Sequence, residues 1–116
     1  MRCLFLPDEL AVFRPVARAI QELRLQFVIL RNFDVLPAVM TRLHFDLVIA
    51  GVSSPDSEVL RALSRLRRAE APVLGVTQAP ELVEPLRAAG ASRVVLLSDQ
   101  EHLVTAMREL LRKSAH

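Results

Sequence analysis

With 116 residues the chain holds one domain, long enough to bury a real core and too short for two. Hydrophobic residues make up 52% of it, yet no run approaches the roughly 18 to 20 apolar residues that cross a bilayer, and residues 1–4 have neither the length nor the cleavage region of a secretory leader; a cytoplasmic protein without a membrane partner is expected. A formal charge of +2, with five phenylalanines and no Tyr or Trp, gives neither the basic excess nor the stacking platform that direct nucleic-acid binding calls for.

Residues 2–6 form a short apolar run closed by Pro7, which has no N–H for a ladder and suits the margin of a strand. Cys3, the single cysteine, lies inside that run, so it has no internal disulfide partner and a buried thiol is expected. After Asp8 and Glu9, apolar residues recur with helical spacing through residues 10–23, at Val12, Phe13, Val16, Ala19, Ile20 and Leu23. Pro15 removes a helical hydrogen bond and crowds the preceding turn, which predicts a regular helix beginning near Arg14. Residues 25–30 are rich in β-branched and aromatic side chains and suit a second strand, with a turn at residues 31–33. Asp34 is expected to cap a short helix reaching about Leu43, with Pro37 in its first turn and Leu36, Val39, Met40 and Leu43 facing inward.

The central stretch is residues 44–55. From Leu47 to Ala50 nearly every side chain is apolar, which suits a strand covered on both faces. In an open α/β sheet the chemistry sits just past the C-terminal end of such a strand, so residues 51–54 stand where a functional group belongs, and none of them is charged. Ser54 is expected to cap a third helix, with Pro55 in its first position, Asp56 and Glu58 near the positive end of its dipole, and Val59, Leu60, Leu63 and Leu66 buried. Arg61, Arg65, Arg67 and Arg68 then form a solvated basic cluster. Pro72 opens a fourth strand over residues 73–76, followed by Thr77 and Gln78. Residues 79–89 predict a helix with Leu82, Val83 and Leu86 inward and Gly90 as a left-handed stop, made short, kinked or displaced by Pro85. Residues 93–97 are the fifth strand. Ser98 and Glu101 match a capping box for a last helix reaching about Lys113, with Leu103, Val104, Met107, Leu110 and Leu111 inward and Arg108, Arg112 and Lys113 toward its negative end. Alternating strands and helices without a long linker predict a single domain over residues 1–116, an α/β fold with a parallel sheet and helices on both faces. The spacing leaves strand order open.

Three segments, FDLVIAGVSSP (residues 45–55), PVLGVT (72–77) and LRAAGA (86–91), resemble the response-regulator receiver domain of bacterial two-component signalling, and the likeness extends over the whole chain. The resemblance implies a flavodoxin-like (βα)5 three-layer sandwich with strand order 2-1-3-4-5. It also implies a phosphorelay site: two carboxylates after the first strand and one after the third hold Mg²⁺, the last accepts a phosphoryl group, and a Ser or Thr and a Lys contact the phosphate. Here the first carboxylate position falls on Pro7, the acceptor position on Gly51 and the lysine position on Leu97; only Asp8 and Thr77 keep fitting groups.

Without acceptor and lysine the chain lacks both a nucleophile and a clamp for developing charge, so a degenerate receiver, a pseudo-receiver not phosphorylated on Asp, is expected. Ser53 and Ser54 are poor substitutes, since a serine needs a base beside it and Asp8 is the sole nearby candidate. Asp8 is expected to cap the first helix, weak cation binding being its alternative role, and Thr77 to satisfy local backbone. His44, His102 and His116 lie on separate elements and make no metal site. No cofactor and no enzymatic activity are expected. The main reading is a signalling module that binds a protein partner or a second copy through the face of the fourth helix, fifth strand and fifth helix, with Leu86, Arg87, Arg93, Val95, Arg108 and Arg112 on it. The alternative is a sensor of a small anion or metabolite held in the vacated acceptor pocket of Pro7, Asp8, Gly51, Ser53, Thr77 and Leu97.

Overall fold

The five apolar runs become five strands in a computed structural model that describes residues 1–66 and 71–114: β1 (Arg2–Pro7), β2 (Gln26–Ile29), β3 (Leu47–Gly51), β4 (Val73–Thr77) and β5 (Arg93–Leu96). Arg67 and Arg68 of the basic cluster, and His116, lie outside the described residues. All neighbouring strands pair in parallel, in the order β2-β1-β3-β4-β5. The connecting helices are α1 (Leu10–Glu22), α2 (Leu36–Arg42), α3 (Glu58–Ser64), α4 (Val83–Ala88) and α5 (Gln100–Ser114). This is the flavodoxin-like (βα)5 sandwich, with strand order 2-1-3-4-5.

Period-two alternation sends successive residues of each strand to opposite faces, so the sheet carries two cores. Cys3, Phe5, Leu47, Ile49, Leu74, Val76 and Val95 pack against Val16, Ile20, Leu103 and Met107 of α1 and α5. On the other face Leu4, Leu6, Val48 and Ala50 meet Leu36, Leu63 and Leu86 of α2, α3 and α4, with Leu82 just ahead of α4. Every residue of β3 is buried, as a strand covered on both sides requires. Burial also pushes the Cys3 thiol up to about 11, which leaves it protonated and inert at neutral pH.

Several local expectations are corrected. Helix α1 begins at Leu10 and runs through Pro15 without waiting for Arg14. The amide missing at Pro15 would have reached the Ala11 carbonyl, which instead accepts a long bond of 3.5 Å from Gln78 Nε2; the Pro15 carbonyl accepts from Gln100 Nε2 at 3.0 Å. Asn32, not Asp34, caps the chain's entry toward α2: its Oδ1 accepts the Asp34 N–H at 3.1 Å and starts a 3-10 turn over Phe33–Val35. Leu43 faces solvent, since the chain has left helical geometry by that point. Helix α3 starts later than expected because residues 54–57 first make a turn, the Ser57 N–H donating to the Ser54 carbonyl at 3.2 Å. Its cap is Ser57, whose Oγ accepts the Val59 N–H at 3.2 Å. For α5 the cap is Asp99, whose Oδ1 accepts the His102 N–H at 3.1 Å, one residue beyond Ser98.

Pro85 acts as expected. It falls in the first turn of α4, where its missing N–H costs no helical bond, and residues 80–82 ahead of it form a 3-10 turn. Two helix ends close with the same pair of backbone bonds. After α4 the Gly90 and Ala91 amides donate to Arg87 and Leu86 carbonyls, and after α1 those of Arg24 and Leu25 donate to Gln21 and Ile20. Both closures need a left-handed residue, which is Gly90 in one (φ 118°) and Arg24 in the other (φ 54°).

Candidate functional site

Parallel pairing of β1 with β3 places Pro7 beside Gly51, and the pairing of β3 with β4 places Gly51 beside Val76. The residues singled out at the strand ends, Pro7, Asp8, Gly51, Ser53, Thr77 and Leu97, therefore gather along the C-terminal edge of the sheet, where ligands of open α/β folds bind.

The acceptor position is closed. A Cβ built on Gly51 would stand 2.8 Å from Val12 Cγ2, 3.2 Å from Val12 Cβ and 3.6 Å from Phe5 Cε1. No pocket has been vacated there: α1 leans its Val12 onto the strand in the space a side chain would take, and Phe5 stacks on Phe13 behind it at 5.9 Å. Leu97, at the lysine position, packs on the same α1 and α5 core. Both positions are thus bordered by hydrocarbon. Helical spacing marks Val12 as apolar, but only the closeness of α1 to β3 shows that it covers Gly51.

Asp8 does not cap α1. The residue before that helix is Glu9, which makes no side-chain cap, while the Asp8 N–H donates to the Gly51 carbonyl at 3.2 Å. The Asp8 carboxylate reaches across to the loop after β3, accepting the Ser53 N–H on Oδ2 at 2.6 Å and the Ser53 hydroxyl on Oδ1 at 2.8 Å. One carboxylate holds one serine by two charge-assisted bonds, one to each of its oxygens. Thr77 is fully buried and its Oγ1 accepts the Ala79 N–H at 3.2 Å, a local turn.

Beside Asp8 a cleft of about 530 Å³ opens between Pro7, Asp8, Glu9, Leu10, Arg31, Phe33 and Glu58. Its carboxylates outnumber its single guanidinium, the wrong sign for holding a small anion. Among the described residues no group of His, Cys, Asp and Glu side chains is arranged to hold a metal ion, and His44 and His102 are exposed on different elements.

The face of α4, β5 and α5 is more polar than the sequence suggested. Leu86 is fully buried under α4 and Val95 is 1% exposed, so neither offers surface to a partner. What remains is charged: Arg87 pairs with Glu84 at 3.1 Å, Arg93 pairs with Glu109, and Arg108 and Arg112 are exposed. The Arg93 guanidinium, by hydrogen bond and charge, holds the Glu109 carboxyl below the ordinary glutamate range.

The strand order and the two helical layers define a receiver-type fold. Similar solved structures include a CheY-like response regulator receiver domain protein from Methanospirillum hungatei (18% identity, TM-score 0.76, covering 98% of this chain and 95% of that one). The BeF3-activated N-terminal receiver domain of Klebsiella pneumoniae RstA is similar at 21% identity and a TM-score of 0.78, with 97% and 99% of the two chains covered. So is the signal receiver domain of an HD domain-containing protein from Pseudomonas fluorescens, at 17% identity and a TM-score of 0.78, covering 98% of this chain and 88% of that one. No protein-family model and no curated protein sequence matches the chain.

Proposed function

We propose that this domain is a degenerate receiver, a signalling module that works through protein contact or self-association without phosphorylation of an aspartate. The observation that carries this reading is the occupied acceptor position: Gly51 has no nucleophile, and Val12 stands 2.8 Å from where its Cβ would be. The engagement of Asp8 by Ser53 supports it from the metal side, since a Mg²⁺ ion needs hard oxygen ligands free to turn toward it. We assign the domain no reaction of its own, and place it in the cytoplasm with the signalling proteins whose fold it shares.

The face offered to a partner is the charged one of α4, β5 and α5, centred on Arg87, Arg93, Arg108 and Arg112, and an acidic surface is its natural complement. The test is incubation with acetyl phosphate and Mg²⁺ followed by intact mass. The mass is expected to stay unchanged. An acid-labile gain of one phosphoryl group that requires Mg²⁺ would sink the proposal.

A further inference from the structure

At the other end of the sheet, below the start of β3, helix α2, the segment after it and the end of α3 border a separate half-open cavity of about 360 Å³. Leu36 and Phe45 are buried beneath it, 1% and 3% exposed, while Met40, Leu66 and Ala71 form half-buried walls. The volume is at the small end of the range for ligand pockets, roughly 300 to 1,000 Å³, which suits the end of one short chain.

The polar groups along this cavity specify a sign. Thr41 already donates its hydroxyl to the Pro37 carbonyl at 2.8 Å and has no proton left to offer. Arg65 and His44 are the cavity's exposed cationic or ionisable groups, and no carboxylate is found among the described residues that line it. His44 Nε2 lies 3.6 Å from Asp46, whose other oxygen accepts the Arg2 N–H at 2.9 Å, so the imidazole already faces a carboxylate. Arg65 makes no ion pair among the described residues and is exposed at the rim. A planar guanidinium over an apolar hole fits one chemistry well: a carboxylate head on a short hydrocarbon tail.

We propose that the cavity between α2 and α3 binds a small apolar monocarboxylate, its head on Arg65 and its tail against Met40, Leu66 and Phe45. This site is independent of the degenerate acceptor edge and stands or falls separately from the function proposed above.

Calorimetric titration of the full chain with octanoate, octanol and octylammonium tests it. Octanoate is expected to bind saturably at one site, about tenfold or more tighter than either other probe, with Arg65→Glu losing at least about tenfold and Met40→Trp, which fills the hole, abolishing binding. Far-ultraviolet dichroism of both variants must match the parent, and where Met40→Trp fails to fold, Leu66→Phe takes its place. No heat with octanoate, equal affinity for all three probes, or undiminished binding by Arg65→Glu would each overturn the proposal. So would self-association in sedimentation that Met40→Trp removes, which would make a second copy the occupant.

Discussion

Asp8 commits both carboxylate oxygens to a single residue on a neighbouring loop, and that geometry has a measurable weight. Hydrogen bonds to a charged group contribute about 1.5 to 3 kcal/mol each when their loss leaves a partner unsatisfied. Asp8→Ala strands the Ser53 amide and hydroxyl together, whereas Ser53→Ala keeps the 2.6 Å amide bond and removes only the 2.8 Å hydroxyl bond. Denaturant titration is therefore expected to find Asp8→Ala less stable by roughly 3 kcal/mol and Ser53→Ala by about half as much. Equal stability of Asp8→Ala and the parent would show that the pair is incidental. The sequence made Asp8 and Ser53 visible as candidates but not as partners. They are 45 residues apart, and their meeting depends on the path of the loop after β3, which no local pattern records.

Elements were legible to the degree that their signals were local. Strand positions followed from apolar runs, because a strand buried on both faces leaves few alternatives, and the inner faces of α1 and α5 followed from spacing alone. Caps slipped by one to three residues wherever several short polar side chains compete, as at Asn32 against Asp34, Ser57 against Ser54 and Asp99 against Ser98. Each candidate could accept a backbone amide, and the choice was made by the loop's tertiary anchors. Pro15 misled in a similar way, because Gln78 and Gln100, distant in sequence, serve the carbonyls around it. The matched closures after α1 and α4 make a paired prediction. A non-glycine residue in left-handed geometry costs about 1 to 2 kcal/mol, so Arg24→Gly should raise stability by about 1 kcal/mol and Gly90→Arg should lower it by a similar amount. Thermal melts of the two variants check this; shifts of the same sign would show that the two turns are not equivalent.

For the whole molecule, the two cores and the single parallel sheet make a receiver-type fold, while at its C-terminal edge Val12 stands against Gly51 and Ser53 holds Asp8. Linkage turns that into an observable. A cation bound at a hundred times its dissociation constant would add about 2.7 kcal/mol of stability, and with Asp8 occupied by Ser53 no such gain is expected. The melting midpoint should be the same in millimolar Mg²⁺ as in a chelator, and a rise of several degrees would mean that the carboxylate has been released to the ion.

The contact of Val12 with the backbone at Gly51 also bears on how this domain could be altered. An aspartate introduced at Gly51 alone meets the valine; a smaller residue at Val12 alone leaves a hole against Phe5; a lysine at Leu97 alone lays an ammonium on hydrocarbon. Each step is unfavourable until the others are present, so single substitutions offer no downhill route to an aspartyl switch, and an engineer wishing to install one must change the helix, the strand and the last loop together.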